Sequence, residues 1–302
     1  MKENLGEEAT KIIESSWAVK TRSSYNTYLK KWSEFCQKNG IDRMEASYKD
    51  GINFLVELFT KENAKYGVIA VARSALSAVF PKVNGKTFGT SEKVSRLLRG
   101  MFKIRPSIPR YTTIYDPEMV LKFILGLPDN EQLDLELLTK KLCTLLCLLS
   151  GQRGQTIGAL RLDAHAKSDE ELVFYILSLM KTTKPGNHQK PLEFVKYTHG
   201  KLCIIDCFVE YRRRTDNIRE NLEGNPQELI LSWAYPHKPV KVATIARYIK
   251  SFLGMAGVDI TVFTAHSTRH ASTSKNNNMG LSIKDIAKAA GWKFWLYVCK
   301  TL

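Results

Sequence analysis

Apolar residues return at helical spacing along the first hundred positions. In residues 21–38, Tyr25, Tyr28, Leu29, Trp32, Phe35 and Cys36 fall on one stripe opposite Lys30, Lys31 and Lys38, the pattern of a helix with one buried face. The stripe recurs in 49–61 (Ile52, Leu55, Val56, Phe59), 66–80 (Ile69, Leu76, Val79, Phe80) and 91–103 (Val94, Leu97, Leu98, Met101). Four amphipathic helices joined by short loops predict a small helical bundle over residues 1–105.

The periodicity stops at residues 105–117, where Pro106, Pro109 and Pro117 alternate with β-branched and polar residues. Proline fixes φ and biases the residue before it toward extended backbone, so 106–117 reads as a linker between two domains. Beyond it, over 118–302, the pattern is mixed. Helical spacing over 117–126, 132–150, 201–214, 241–255, 267–278 and 281–290 is interleaved with short β-type runs at 171–177, 190–195 and 229–232. The expected fold is mainly α with a small antiparallel sheet, an α+β domain following a helical one.

Charge changes the picture from architecture to partner. Of 302 residues, 45 are Lys or Arg and 30 are Asp or Glu, a formal excess of 15 positive charges, which points to a polyanion such as nucleic acid. Hydrophobic residues make up 44%, enough for a substantial core. Six scattered cysteines without a C-x-x-C pair argue against a disulfide framework and fit a reducing environment. His199, Cys203 and Cys207 at i, i+4, i+8 would share a helix face, but with no fourth ligand nearby buried structural cysteines are expected rather than a metal. No apolar run suits a signal peptide or a membrane span.

Candidate chemistry gathers in the second part. Arg153 follows Gly151 at the end of an apolar helix; taken alone it is a surface charge at a helix start. Lys181 and Lys184 lie in a polar turn, "LMKTTKPGNHQKPL", where loop lysines are usually solvated. In "TAHSTRHASTSK", His266 and Arg269 stand one helical turn apart on one face and could reach one anion. "AAGW" with Trp292 follows. His270 is expected to be a structural histidine.

The ordered set of Arg153, Lys181, the H-x-x-R of His266 and Arg269, and the G-W ending in Trp292 resembles the catalytic domain of the tyrosine recombinases, the phage-integrase-like DNA breaking and joining enzymes. The strings "SGQRGQTIGAL", "KTTKPGNHQ" and "HSTRHASTSK" are similar to recombinases of eukaryotic mobile elements of the Crypton and DIRS type. The N-terminal part, 1–105, is similar to the family's helical core-binding domain. The resemblance implies attack by a tyrosine on a phosphodiester, a 3′-phosphotyrosyl intermediate, and conserved bond energy, so that neither ATP nor a metal cofactor is needed. It implies double-stranded DNA as partner, homo-oligomers (a dimer on a site, a tetramer in synapsis), no membrane association and a nuclear location.

By the same resemblance Arg153 and Arg269 clamp the non-bridging oxygens, where a planar guanidinium meets two oxygens at once. His266 handles a proton or a hydrogen bond, Lys181 protonates the leaving oxygen, with Lys184 the alternative hairpin lysine, and Trp292 donates one N–H for positioning.

The family spacing would put the tyrosine near 301–302, held here by Thr301 and Leu302, so the chain is expected to stop short of the family's last helix. Tyr297, the only tyrosine after Trp292 and so the candidate nucleophile, lies in the apolar run "FWLYVC", which suits packing better than attack. Two readings stay open: an active recombinase, and a DNA-binding protein that retains the recombinase fold without strand cleavage. A metal-dependent nuclease is disfavoured, because no Asp and Glu cluster accompanies the set.

Overall fold

A computed structural model describes residues 6–108, 113–181 and 183–278. The chain divides into two compact units, Met1–Pro109 and Arg110–Leu302, and each is taken by itself.

The first unit is helical. Helices α1 (Glu7–Ser15), α2 (Val19–Lys38), α3 (Tyr48–Thr60), α4 (Tyr66–Val79) and α5 (Glu92–Ile104) are accompanied by a 3₁₀ turn at Phe88–Thr90. The apolar stripes form its core: Trp32, Phe35 and Cys36 of α2 pack with Phe54, Leu55, Leu58 and Phe59 of α3, Ile69 and Leu76 of α4, and Val94, Leu98 and Met101 of α5. The ring of Trp32 meets Phe54 edge-on at 5.4 Å and Phe35 stacked at 5.6 Å, geometries that aromatic quadrupoles favour. Val79, expected on the buried stripe, is exposed instead, because α4 ends there and the chain turns away at Phe80 with extended backbone. Helix α3 begins with a capping box between Ser47 and Asp50.

The second unit contains α6 (Glu118–Gly126), α7 (Leu135–Ser150), the single turn α8 (Gly154–Ile157), α9 (Ile204–Glu220), α10 (Val242–Met255) and α11 (Ala265–Asn278), with strands β1 (His165–Lys167), β2 (Glu171–Phe174) and β3 (Leu192–Val195). Helix α7 is the axis of its core. Leu138, Leu142, Cys143, Leu145, Leu146 and Cys147 are buried on it, and α9, α10 and α11 pack around it. The fold is mainly helical with one small antiparallel sheet.

That sheet differs from expectation in its membership. Its order is β1-β2-β3, with Ala166 opposite Val173 and Val173 opposite Glu193. The apolar run 229–232 is buried but belongs to no strand: it makes only isolated bridges, Arg161 with Glu228 and Leu231 with Pro239. Its backbone is met from several sides: the Ile230 carbonyl accepts from the Val240 amide at 3.1 Å, and the amides of Ser232 and Leu229 donate to the carbonyls of Lys238 and Leu160 at 2.9 and 2.8 Å. The buried guanidinium of Arg219 on α9 donates to the carbonyls of Pro226, Glu228 and Leu229 at 2.8, 2.7 and 2.6 Å, satisfying the backbone that enters the run. The 171–177 and 190–195 runs are strands only over 171–174 and 192–195.

His199, Cys203 and Cys207 do not share a helix face. Helix α9 starts at Ile204, His199 is exposed in the preceding turn, and Cys203 and Cys207 are buried in the core. Burial holds the Cys207 thiol well above its ordinary pKa, at about 12, which suits packing rather than ligation. Among the described residues no three of His, Cys, Asp and Glu gather as a metal-binding group, and no helix is long and apolar enough to cross a membrane.

Candidate active site

Two segments more than a hundred residues apart build the site. Helix α7 ends at Gly151, whose left-handed backbone (φ +59°) closes on the Cys147 carbonyl, a conformation that glycine adopts without Cβ strain. The turn that follows buries Gln152, whose side-chain oxygen accepts from the hydroxyl of Thr156 at 3.3 Å. Arg153 then stands as the extended N-cap residue of α8 and is exposed to solvent. Glycine is required again at Gly158, where a Cβ would lie 2.8 Å from Val242 at the start of α10.

The second segment is the first two turns of α11. The Ser267 hydroxyl accepts from the Thr264 amide at 2.6 Å while the Ser267 amide donates to the Thr264 carbonyl at 2.9 Å, which closes the helix start. From it project exposed His266 and buried Arg269, the latter only 3% exposed. Tyr115 lies beside Thr268, and its ring meets Phe263 edge-on at 5.5 Å.

The two segments converge, α11 packing against α7, and their charges act on one another. Arg269 is held below the usual guanidinium value, at about 10, by desolvation first and then by the charge of Arg153, with Cys147 opposing. The His266 imidazole is likewise lowered, by what burial it has and then by Arg269 and Arg153. His270, half-buried, meets the His266 ring edge-on at 5.5 Å between centroids and is lowered by burial, His266 and Arg269. A phosphate between the two guanidiniums would relieve their mutual repulsion and accept hydrogen bonds from both.

Of the residues picked from sequence, Arg153, His266 and Arg269 are brought together. Lys181 is exposed beyond β2, and among the described residues no hydrogen bond or ion pair joins it to that trio. The turn that follows it is tight: Lys184 and Asn187 exchange backbone hydrogen bonds across Pro185 and Gly186. Trp292 and Tyr297, and the expected helix at 281–290, lie outside the described residues.

Sequence reasoning missed a second cationic surface. An open pocket of about 610 Å³ lies between the 232–241 loop and the start of α10, bordered by Lys140, Lys238, Lys241 and Arg247, with no carboxylate in its lining. Its wall is Trp233 against Tyr248, ring centroids 4.0 Å apart, and the Lys140 ammonium sits 5.4 Å from the Trp233 ring centre. "HKPVK" carries the signal, a basic loop before a helix.

No family model matches the chain, and no curated protein matches it. Solved structures do. The Tn1549 transposon integrase, in complex with transposon right end DNA, has TM-score 0.62 at 14% identity, covering 97% of this chain and 92% of that one. The XerH site-specific recombinase in its post-cleavage complex has TM-score 0.61 at 13% identity, covering 92% and 74%. A lambda integrase dimer bound to a core site has TM-score 0.54 at 17% identity, covering 98% and 75%. This chain therefore has the fold of the tyrosine recombinases and integrases.

Proposed function

We propose that this protein is a site-specific DNA recombinase of the tyrosine type, breaking and rejoining duplex DNA through a 3′-phosphotyrosyl intermediate. The convergence of Arg153, His266 and Arg269 carries the reading: a guanidinium pair with an adjacent imidazole, assembled from distant segments on a recombinase fold. In the reaction the tyrosine oxygen forms a bond to phosphorus as the 5′-oxygen leaves, and Arg153 and Arg269 hold the charge that builds on the non-bridging oxygens. His266, its imidazole held below the ordinary value by desolvation and then by Arg269 and Arg153, accepts or relays the proton of the attacking hydroxyl. Lys181 is assigned to the leaving 5′-oxygen, Trp292 to positioning, and Tyr297 is the candidate nucleophile within this chain.

The partner is double-stranded DNA, and the lambda and XerH proteins, solved on their DNA sites, support that reading together with the basic pocket beside α10. A homo-oligomer on DNA is proposed on the same grounds, the lambda integrase being seen as a dimer and as a tetramer on a Holliday junction. The motif strings support an origin in a eukaryotic mobile element and action in the nucleus.

The test uses the full chain. Selection from a randomised duplex pool identifies a bound sequence, and a nicked duplex of that sequence is then incubated with protein in EDTA. An SDS-resistant protein–DNA adduct is expected from the parent and none from Arg153→Ala or Arg269→Ala. Tight binding with no adduct from the parent would refute strand cleavage by this polypeptide.

A further inference from the structure

The two halves of the cationic site come from different helices, and something must fix their spacing. Leu148 lies in the last turn of α7, where carbonyls run out of helical N–H partners. The Gly151 amide closes on Cys147 and the Gln152 amide turns to the Ser150 hydroxyl at 3.2 Å. The Leu148 carbonyl is met from outside: the hydroxyl of Ser272 on α11 donates to it, across 124 positions of sequence. Ser272 is buried, at 7% exposure, and stands three residues after Arg269 on the same helix face. The bond thus ties the helix that carries His266 and Arg269 to the helix end from which Arg153 emerges five residues later.

We propose that Ser272 is a positioning residue whose hydroxyl, closed on the Leu148 carbonyl, sets the spacing between Arg153 and the His266–Arg269 turn. The functional weight of this spacing rests on reading the trio as a phosphate site; the geometric tie does not. A serine inside a helix ordinarily returns its hydroxyl to its own backbone four residues earlier, as Thr273 does to the Arg269 carbonyl at 2.9 Å. Ser272 spends its donor on another helix, at a carbonyl in the last turn before Arg153.

His266 is the reporter. The charged and titratable groups that act on it are Arg269 and Arg153, with His270 against its ring and Cys147 beside Arg269. Removing the tie lets Arg153 drift from α11, and the His266 titration moves up toward the ordinary imidazole value of about 6.5. The experiment is an NMR titration of His266 in the full chain for parent, Ser272→Ala, Ser272→Cys and Thr273→Val. The last removes a buried helical hydroxyl of similar structural weight without linking two helices. An upward shift in Ser272→Ala, smaller in Ser272→Cys and absent in Thr273→Val, is expected. A folded Ser272→Ala with the parent midpoint overturns the proposal, as does an equal shift in Thr273→Val; should Ser272→Ala not fold, an unmoved midpoint in Ser272→Cys overturns it. DNA affinity of Arg153→Ala, measured alongside, separates the two readings: an unchanged affinity with a shifted His266 in Ser272→Ala removes the phosphate role and leaves the positioning role standing.

Discussion

The imidazoles of His266 and His270 meet edge-on with centroids 5.5 Å apart on successive turns of α11, and both are held below the ordinary imidazole value, each first by desolvation. Between the lowered values and about 6.5 the unfolded chain binds protons that the folded chain refuses. Stability therefore rises with pH through that window and is lost as pH falls through it. Denaturant unfolding at pH 5.5 and 7.5 is expected to show a larger difference for the parent than for a variant with both histidines changed to Gln.

Glu210 gives the opposite sign. Buried on α9, it accepts from Arg213 at 2.8 Å and from Arg214 at 2.5 Å, and these bonds hold its carboxyl at about 2, Arg213 contributing most. Arg214 in turn donates to the carbonyls of Leu133, Asn130 and Glu131, so one carboxylate orients the cation that fastens α9 to the turn before α7. Its contribution is present above about 4.3 and lost as pH falls toward 2. Glu210→Gln is expected to cost about 2 kcal/mol in urea unfolding at pH 7, with the gap to the parent closing in acid.

Lys141 is fully buried on α7, its ammonium donating to the Asn130 side-chain oxygen at 2.7 Å. Burial lowers its pKa. Asn130→Ala, which strips the ammonium of that acceptor, is expected to destabilise by about 1–3 kcal/mol. Lys141→Met, similar in volume and without charge, is expected to be neutral or stabilising. Thermal unfolding of the two variants checks the contrast.

At Gly151 an added Cβ meets a left-handed backbone, costing about 1–2 kcal/mol. Because Arg153 follows by two residues, Gly151→Ala is expected to lower both the melting temperature and the affinity for DNA. A surface change such as Lys167→Ala should do neither.

Binding should weaken steeply with salt, log K falling by about 0.9 for each phosphate neutralised per decade of salt. Arg247→Ala and Lys241→Ala, beside the basic pocket, are each expected to reduce that slope by about one. Anisotropy titrations between 50 and 200 mM salt, concentrations chosen for the steep range, measure it.

How far the chain could be read in advance follows from what each element depends on. Helices α2 to α5 were legible because one stripe of large apolar residues buries each of them. Strand β1 was not: His-Ala-Lys has no β-type composition, and it is a strand through pairing with β2 and the stacking of His165 on Phe174 at 5.9 Å. Residues 229–232 had strand composition without a strand, since their backbone is divided among Leu160, Lys238, Val240 and the Arg219 guanidinium and is not paired along one neighbour. Arg153, His266 and Arg269 were singled out through their motif, while the Ser272 bond left no mark, because the partner of a polar helix residue is known only once the facing carbonyl is.

The guanidinium of Arg219 anchors the start of the connection between α9 and α10. The carbonyls of Pro226, Glu228 and Leu229 answer to one cation on α9, and the buried side chains of Leu229, Ile230 and Leu231 hold the run that follows. The basic loop that follows can change length and sequence, and with them the surface it presents, while its point of departure stays fixed.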